Sequence, residues 1–213
     1  MLKLHCFGQS GNAYKVAFAL NAMGVEWEPV FVDFMNGITR TAAWRAQSNE
    51  MGEVPILEID GKAQTQSAVI LTLLAERFGQ FGGRDADEQR EIQRWMYFDN
   101  HKFTSYFASY RFMKAFGQSA PNPDVMAWLR GRIDGAFGIV DQHLAHSPFI
   151  VGARPTIADF SLCGYLFYPV EESGIDVAAS YPHIGAWLAR LKALPGWGDP
   201  YAIMPGERIA AKW

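Results

Sequence analysis

Three short stretches hold residues whose types and spacing suit the capture of a small anionic peptide. Ser10-Gly11-Asn12 closes a glycine-containing turn just before a run with helical periodicity. Gln66-Ser67 opens a second such run. A helix start presents unpaired N–H groups and about half a positive charge, so each of these places favours an anion. Asn49-Glu50-Met51-Gly52-Glu53-Val54-Pro55 lies between them. We expect the Val54-Pro55 bond to be cis, which would turn the Val54 amide outward to pair with an extended peptide. Two anion sites and one backbone pairing site along a groove suit a short peptide with a thiolate at one end and carboxylates elsewhere.

Other chemistries find little support. Cys6 and Cys163 are far apart and form no CxxC pair, so a reducing, cytoplasmic setting is expected. His143-x-x-His146 has helical spacing but lacks a third ligand nearby and the HExxH order, so no metal is expected. His101 reads as a buried or interface histidine. Neither GxGxxG nor GxxxxGK[ST] occurs, which removes dinucleotide and nucleoside-triphosphate readings. The net charge of −3 gives no general basic field for nucleic acid. No charge-free run exceeds 13 residues, so no membrane span is expected, and the first residues lack the apolar core of a secretory signal.

The elements that must position these residues can be read from periodicity. Leu2, Leu4 and Cys6 alternate as a strand, and Val16, Leu20 and Met23 share a helical face that Gly24 ends. Trp27 to Asp33 is a second strand, completing a βαβ unit with parallel strands. A short helix over 41–48 follows. Ile56–Ile59 and Lys62–Thr65 then flank Asp60-Gly61, a hairpin signal. The helix opened by Gln66-Ser67 stops at Gly79. The order β-α-β-(α)-β-β-α is that of the thioredoxin-like fold. Beyond Gly82-Gly83 strand signals largely cease, and helices are expected over Asp85–Phe116, Asp124–His146 and Tyr181–Leu194, with a tail from Pro195. Thr156-x-x-Asp159 is a capping-box variant and reads as a packing signal. At 213 residues the chain is long enough for two modest domains, expected at 1–80 and 86–213. Of its residues 49% are hydrophobic and 19% charged, which excludes a disordered chain.

Four motifs in order, Ser10-Gly11-Asn12-Ala13-Tyr14-Lys15-Val16, Asn49-x-x-Gly52-x-Val54-Pro55, Gln66-Ser67-Ala68-Val69-Ile70-Leu71 and Thr156-Ile157-Ala158-Asp159, make the sequence resemble the glutathione transferases over nearly its whole length. The Ser10 turn looks most like the serine-type bacterial and plant branches. The resemblance implies an α/β thioredoxin-like N-terminal domain, an all-α C-terminal domain and a homodimer. It also implies glutathione bound as thiolate, with an apolar electrophile as second substrate. A free thiol has a pKa near 8.5, and lowering it by about two units takes roughly 2.7 kcal/mol. One hydroxyl donor plus a helix start is of that size. Ser10 would thus hold the nucleophile rather than be it. Asn12 could donate its amide to the sulfur instead, or share the role, and a serine at a helix start is also an ordinary N-cap.

The resemblance further places Arg40, Glu53, Val54, Pro55, Gln66 and Ser67 around glutathione. Asp99 would reach the γ-glutamyl amine in the neighbouring subunit. For Arg40 a plain surface cation is the alternative, and for Asp99 a solvated or capping charge. The chain departs from the family pattern at Glu50, where proline is usual, and at Gln66, where glutamate is common. An uncharged Gln66 should hold the γ-glutamyl amine less firmly. Nine aromatics crowd residues 95–116, spread wider than one core-facing stripe requires. Phe103, Tyr106, Phe107 and Tyr110 are the candidates for the electrophile pocket, with core packing the alternative for each. Tyr106 or Tyr110 could stabilise negative charge developing on the electrophile. A glutathione-dependent isomerase, dehalogenase or lyase, or a non-catalytic binding module, would be built on the same scaffold.

Overall fold

Leu4 and Cys6 are both fully buried, and this alternation commits Leu2–Cys6 to strand β1. In the computed structural model, which describes residues Met1–Trp213, helix α1 follows at Gly11–Ala22, then β2 at Trp27–Phe31. A 3-10 turn at Ile38–Arg40 leads to α2 at Ala42–Gln47. Strands β3 (Ile56–Ile59) and β4 (Lys62–Thr65) and helix α3 (Ser67–Phe78) complete the set. The sheet order is β2-β1-β3-β4, with β1 parallel to β2 and the other neighbours antiparallel. This is the mixed sheet of a thioredoxin-like fold. Pro29 is tolerated in β2 because that strand is an edge. Helix α1 packs on α3, and Gly24 and Gly79 follow the ends of these two helices with φ of 67° and 64°.

The second unit is helical throughout. Helix α4 (Ala86–Phe98) starts on Asp85, whose side chain caps Asp87 and Glu88. The single helix expected over 85–116 is broken by a π-helical turn at Asp99–Phe103 before α5 resumes at Thr104–Phe116. The wider turn brings the Thr104 hydroxyl, five residues on, to Asp99 at 2.5 Å. After it come α6 (Pro123–Leu144), α7 (Ile157–Cys163), α8 (Val170–Ser173), α9 (Val177–Ser180) and α10 (Pro182–Lys192). Phe103, Ile133, Phe137, Phe160, Ile184 and Trp187 are all essentially fully buried at its centre.

The last segment departs from the expected 86–213 helical domain. Residues Pro195–Arg208, with a short helix α11 at Pro200–Ile203, belong to the first unit together with Met1–Gln80. Phe81–Leu194 and Ile209–Trp213 form the other. The segment is held by main-chain groups rather than by a periodic apolar face. The Tyr14 hydroxyl donates to Gly198 O at 2.9 Å and the Gly8 N–H donates to Pro205 O at 2.7 Å.

Asp159 is the polar hinge of the helical unit. Its fully buried carboxylate accepts the N–H groups of Ile150 and Thr156, the Thr156 hydroxyl and the Trp187 indole N–H, at 2.8–3.1 Å. Burial pushes the carboxyl pKa up, and the four donors pull against it. Removing the acceptor strands these donors at about 1–3 kcal/mol each where no water reaches them. Asp159→Ala should therefore lose at least about 3 kcal/mol of stability, read as a lower urea midpoint at unchanged slope. A loss below about 1 kcal/mol would show that the donors find other partners.

Candidate functional site

The strand register assembles the site. His5 near the end of β1 lies opposite Ile56 at the start of β3, and Ile56 lies opposite Thr65 at the end of β4. The turn after β1, the loop before β3 and the start of α3 therefore meet at one edge of the sheet. Ser10, Asn12, Val54-Pro55 and Gln66-Ser67 are brought together there.

Ser10 is almost buried and caps α1, its hydroxyl oxygen accepting from Ala13 N at 3.2 Å. Capping uses a lone pair and leaves the hydroxyl hydrogen free to donate, so a cap and a sulfur donor are compatible roles. Asn12, half-buried in the first turn, makes no side-chain hydrogen bond within the chain. Cys6 has no access to this edge. It is fully buried, and burial pushes its thiol up to about 12.

The loop before β3 is braced from beneath and from within. Val54 packs with Phe7 and Val32, flanked by Phe34, Met35 and Trp44, and the Phe7 and Phe34 rings stack at 4.8 Å. Asn49 donates to Glu53 O at 2.9 Å and accepts from Met51 N at 3.1 Å. At Gly52 (φ 70°) a Cβ would lie 2.8 Å from both Thr39 O and the Arg45 guanidinium, so only glycine fits. The Val54-Pro55 bond is cis, and neither main-chain group of Val54 has a partner in the chain. Gln66 holds a positive φ of 67°, uncommon for a residue with a side chain and costing on the order of 1–3 kcal/mol. Its amide donates to Glu53 Oε2 at 3.0 Å and to Met51 Sδ at 3.1 Å. Ser67, nearly buried at the first turn of α3, has a hydroxyl with no internal partner. The edge thus offers unengaged donors at residues 10, 12, 54 and 67 beside a carboxylate at residue 53.

Other expected residues fall elsewhere. Arg40 is an exposed cation in the 3-10 turn without an ion pair. Asp99 is fully buried and accepts the Thr104 and Ser161 hydroxyls at 2.5 and 2.6 Å. A carboxylate so enclosed does not reach a neighbouring subunit, and it leaves the candidate set. Phe103 and Phe107 are core residues, 1% and 3% exposed, with rings 4.4 and 5.4 Å from Phe137. Phe103 therefore packs in the core as its alternative reading expects, whereas Phe107 also lines a cavity of about 270 Å³ with Tyr165, Tyr168 and Leu188. Tyr106 and Tyr110 are half-buried on one face of α5, and Tyr106 packs edge-on against Trp128. The sequence assigns no role to Asn49, though its motif carries it, and reads 195–208 only as a tail of the helical domain, with no sign that it belongs to the first unit.

Comparison with known proteins gives a consistent picture. The family description "Glutathione S-transferase, N-terminal domain" matches residues 2–76, and "Glutathione S-transferase, C-terminal domain" matches residues 123–190. A maleylacetoacetate isomerase of Rhizobium meliloti is 31% identical over 182 residues, 83% of this chain and 84% of that protein. Glutathione S-transferase F14 of Arabidopsis thaliana is 26% identical over 206 residues, 92% and 81% of the two chains. The crystal structure of a glutathione S-transferase from Pseudomonas fluorescens superposes with a TM-score of 0.85 at 30% identity, covering 93% of this chain and 98% of that one.

The chain's own thiols are expected to be inert. With Cys6 buried and pushed up to about 12 and Cys163 also buried, iodoacetamide at neutral pH should label neither until the chain is unfolded. Labelling of Cys6 in the folded protein, read by mass spectrometry, would contradict the enclosure of β1.

Proposed function

The chain belongs to the glutathione S-transferase family of enzymes, and we propose that it binds glutathione along the α1–β3–α3 edge as a thiolate and conjugates it to apolar electrophiles. The observation that carries this reading is the convergence of unpartnered donors on that edge. The Val54 N–H and C=O suit antiparallel pairing with the peptide's cysteinyl residue. The Ser67 hydroxyl and the start of α3 suit the γ-glutamyl carboxylate. The sulfur then falls beside Ser10, with Asn12 the neighbouring donor. Glu53, oriented by Gln66, supplies the negative charge for the γ-glutamyl amine that Gln66 itself lacks. Arg40 remains the candidate for the glycyl carboxylate. Tyr106 and Tyr110 remain candidates for contact with the electrophile, and proximity and thiolate activation would supply most of the acceleration.

A homodimer in the cytoplasm completes the proposal. The homodimer is carried by the family reading; Tyr97, 70% exposed, and Val69, 48% exposed, are accessible to a partner subunit. No helix is long and apolar enough to cross a membrane. A second reading, glutathione-dependent isomerisation, is favoured by the 31% identity to the maleylacetoacetate isomerase. Both use the same thiolate; they differ in whether the sulfur stays in the product or leaves it. Incubation with glutathione and a panel of aryl halides, epoxides and cis-enediones, with product masses measured, decides. Mass gain by one glutathione, less HX where an aryl halide loses its halide, supports conjugation; unchanged mass with altered retention supports isomerisation, and no turnover of any class overturns both.

Ser10→Ala should cut turnover at neutral pH at least about tenfold while the glutathione KM stays within severalfold. The sign follows from the proton balance. Losing a donor to the thiolate raises the bound thiol's pKa, so the rate falls below that pKa and converges on wild type above it. An unshifted pH–rate profile would transfer the role to Asn12. Glu53→Gln keeps the shape of the side chain and removes its charge. The glutathione KM should rise about three- to tenfold with kcat within twofold, and an unchanged KM would remove Glu53 from the amine site.

A further inference from the structure

Residues Pro195–Arg208 reach the turn that carries Ser10 by three independent contacts. The Gly8 N–H, two residues before Ser10, donates to Pro205 O at 2.7 Å. The Gln9 side chain, 7% exposed, donates to Glu207 O at 2.7 Å. The Tyr201 ring lies so close to Gly8 that a Cβ there would be 3.0 Å from its Cδ1 and 3.3 Å from its Cε1. The turn itself is closed by a bond from Ser10 N to Phe7 O at 3.0 Å. Phe7 is fixed below by the Phe34 stack, and Gly8 and Gln9 are fixed above by the C-terminal segment.

The fit of the segment is tight along its length. A Cβ at Gly196 would meet Asn21 O at 2.4 Å, and one at Gly206 (φ 103°) would meet the Phe31 ring at 2.9 Å. At Gly196 the approach is to main chain, which a side chain would push apart. Asp199 caps the short helix that presents Tyr201, and the Arg208 guanidinium lies over the Tyr201 ring at 5.6 Å. The segment is therefore ordered by its own contacts and sits on Gly8-Gln9 as a second wall of the turn.

We propose that Tyr201, with the Pro205 carbonyl, is a positioning element for Ser10: it fixes Gly8-Gln9 so that the Ser10 hydroxyl is aimed at a thiolate bound on the sheet edge. This rests on the glutathione reading above and adds to it a residue 191 positions away in sequence. Tyr201 touches no reacting atom. Its effect passes through the turn, because a donor shifted by a fraction of an ångström loses much of its grip on the anion while the backbone sites at Val54 and Ser67 are untouched.

The distinguishing readout is the pKa of glutathione bound to the full chain, followed by the ultraviolet absorbance of its thiolate against pH. Wild type should titrate well below free glutathione. Tyr201→Ala should raise the bound thiol's pKa by about one unit or more, so that turnover falls about tenfold at about pH 6.5 and recovers towards pH 9. Glutathione affinity should stay within about threefold, since the other binding groups remain. Tyr201→Leu serves in its place should Tyr201→Ala not fold. A folded Tyr201→Ala or Tyr201→Leu chain whose thiol titration does not move, or a loss equal at every pH, overturns the positioning role. A wild-type chain that gives no depressed thiolate titration overturns the glutathione reading itself, so the two failures are told apart.

Discussion

The pairing of His5 with Ile56 and of Ile56 with Thr65 is the constraint on which the rest of the site depends. It aligns the exit of β1, the entry of β3 and the exit of β4 at one edge, and each of these leads directly into a segment with groups free to bind. The register is held by burial. Leu4 faces Leu57 across the pair and both are fully excluded from water, as is Cys6 on the same face of β1. A slip of one residue would turn all three outward and carry Val54-Pro55 away from Ser10. The hydrophobic alternation of two short strands thus fixes the distance between groups that no direct contact joins.

Ser10 and Cys6, four residues apart, show how that edge treats sulfur and oxygen differently. The Cys6 thiol has an apolar enclosure and is held protonated. Just past the strand end the chain emerges at a helix start, where Ser10 can cap Ala13 with a lone pair and still offer its hydrogen. In the proposed reading the reactive thiol is the ligand's and lies on the polar side of this boundary. A thiolate there needs donors rather than a basic residue, and the edge is built of donors: hydroxyls, a carboxamide and main-chain N–H groups. Cys163, also buried, donates weakly to Phe160 O and takes no part.

The first unit was largely legible because its signals are local. Alternation marked β1, Asp60-Gly61 marked the hairpin, and glycines at 24 and 79 marked helix ends, each the work of a few adjacent residues. The capping acid Asp159 could be read for the same reason, though its bonds to Ile150 and Trp187 could not. What escaped was non-local. Asp99 reads as a surface charge until Ser161, 62 residues on, is seen to donate to it, and the π-turn that accompanies this contact has no composition of its own. Ring orientation on α5 depends on Phe137 of another helix, so Phe103 and Phe107 could not be told from Tyr106 and Tyr110 by spacing. The segment after Pro195 lacks periodicity because it is held by carbonyls and glycines, which leave no pattern in hydrophobicity.

The exchange at Gln66 shows how a departure from the family pattern can be absorbed by its surroundings. A carboxylate at residue 66 would sit about 3 Å from Glu53 and repel it, given the present 3.0 Å bond. The amide instead donates to Glu53, so the pair keeps one negative charge and gains an internal bond that orients it. Asn49 fixes the Glu53 carbonyl from the other side, and Met51 fills the flank of the Gln66 amide. The positive φ of Gln66 is sustained by this set together with the start of α3 behind it. Charge at such an edge is therefore a property of the loop and helix start taken together, since the residue at 66 and the carboxylate at 53 are in direct contact.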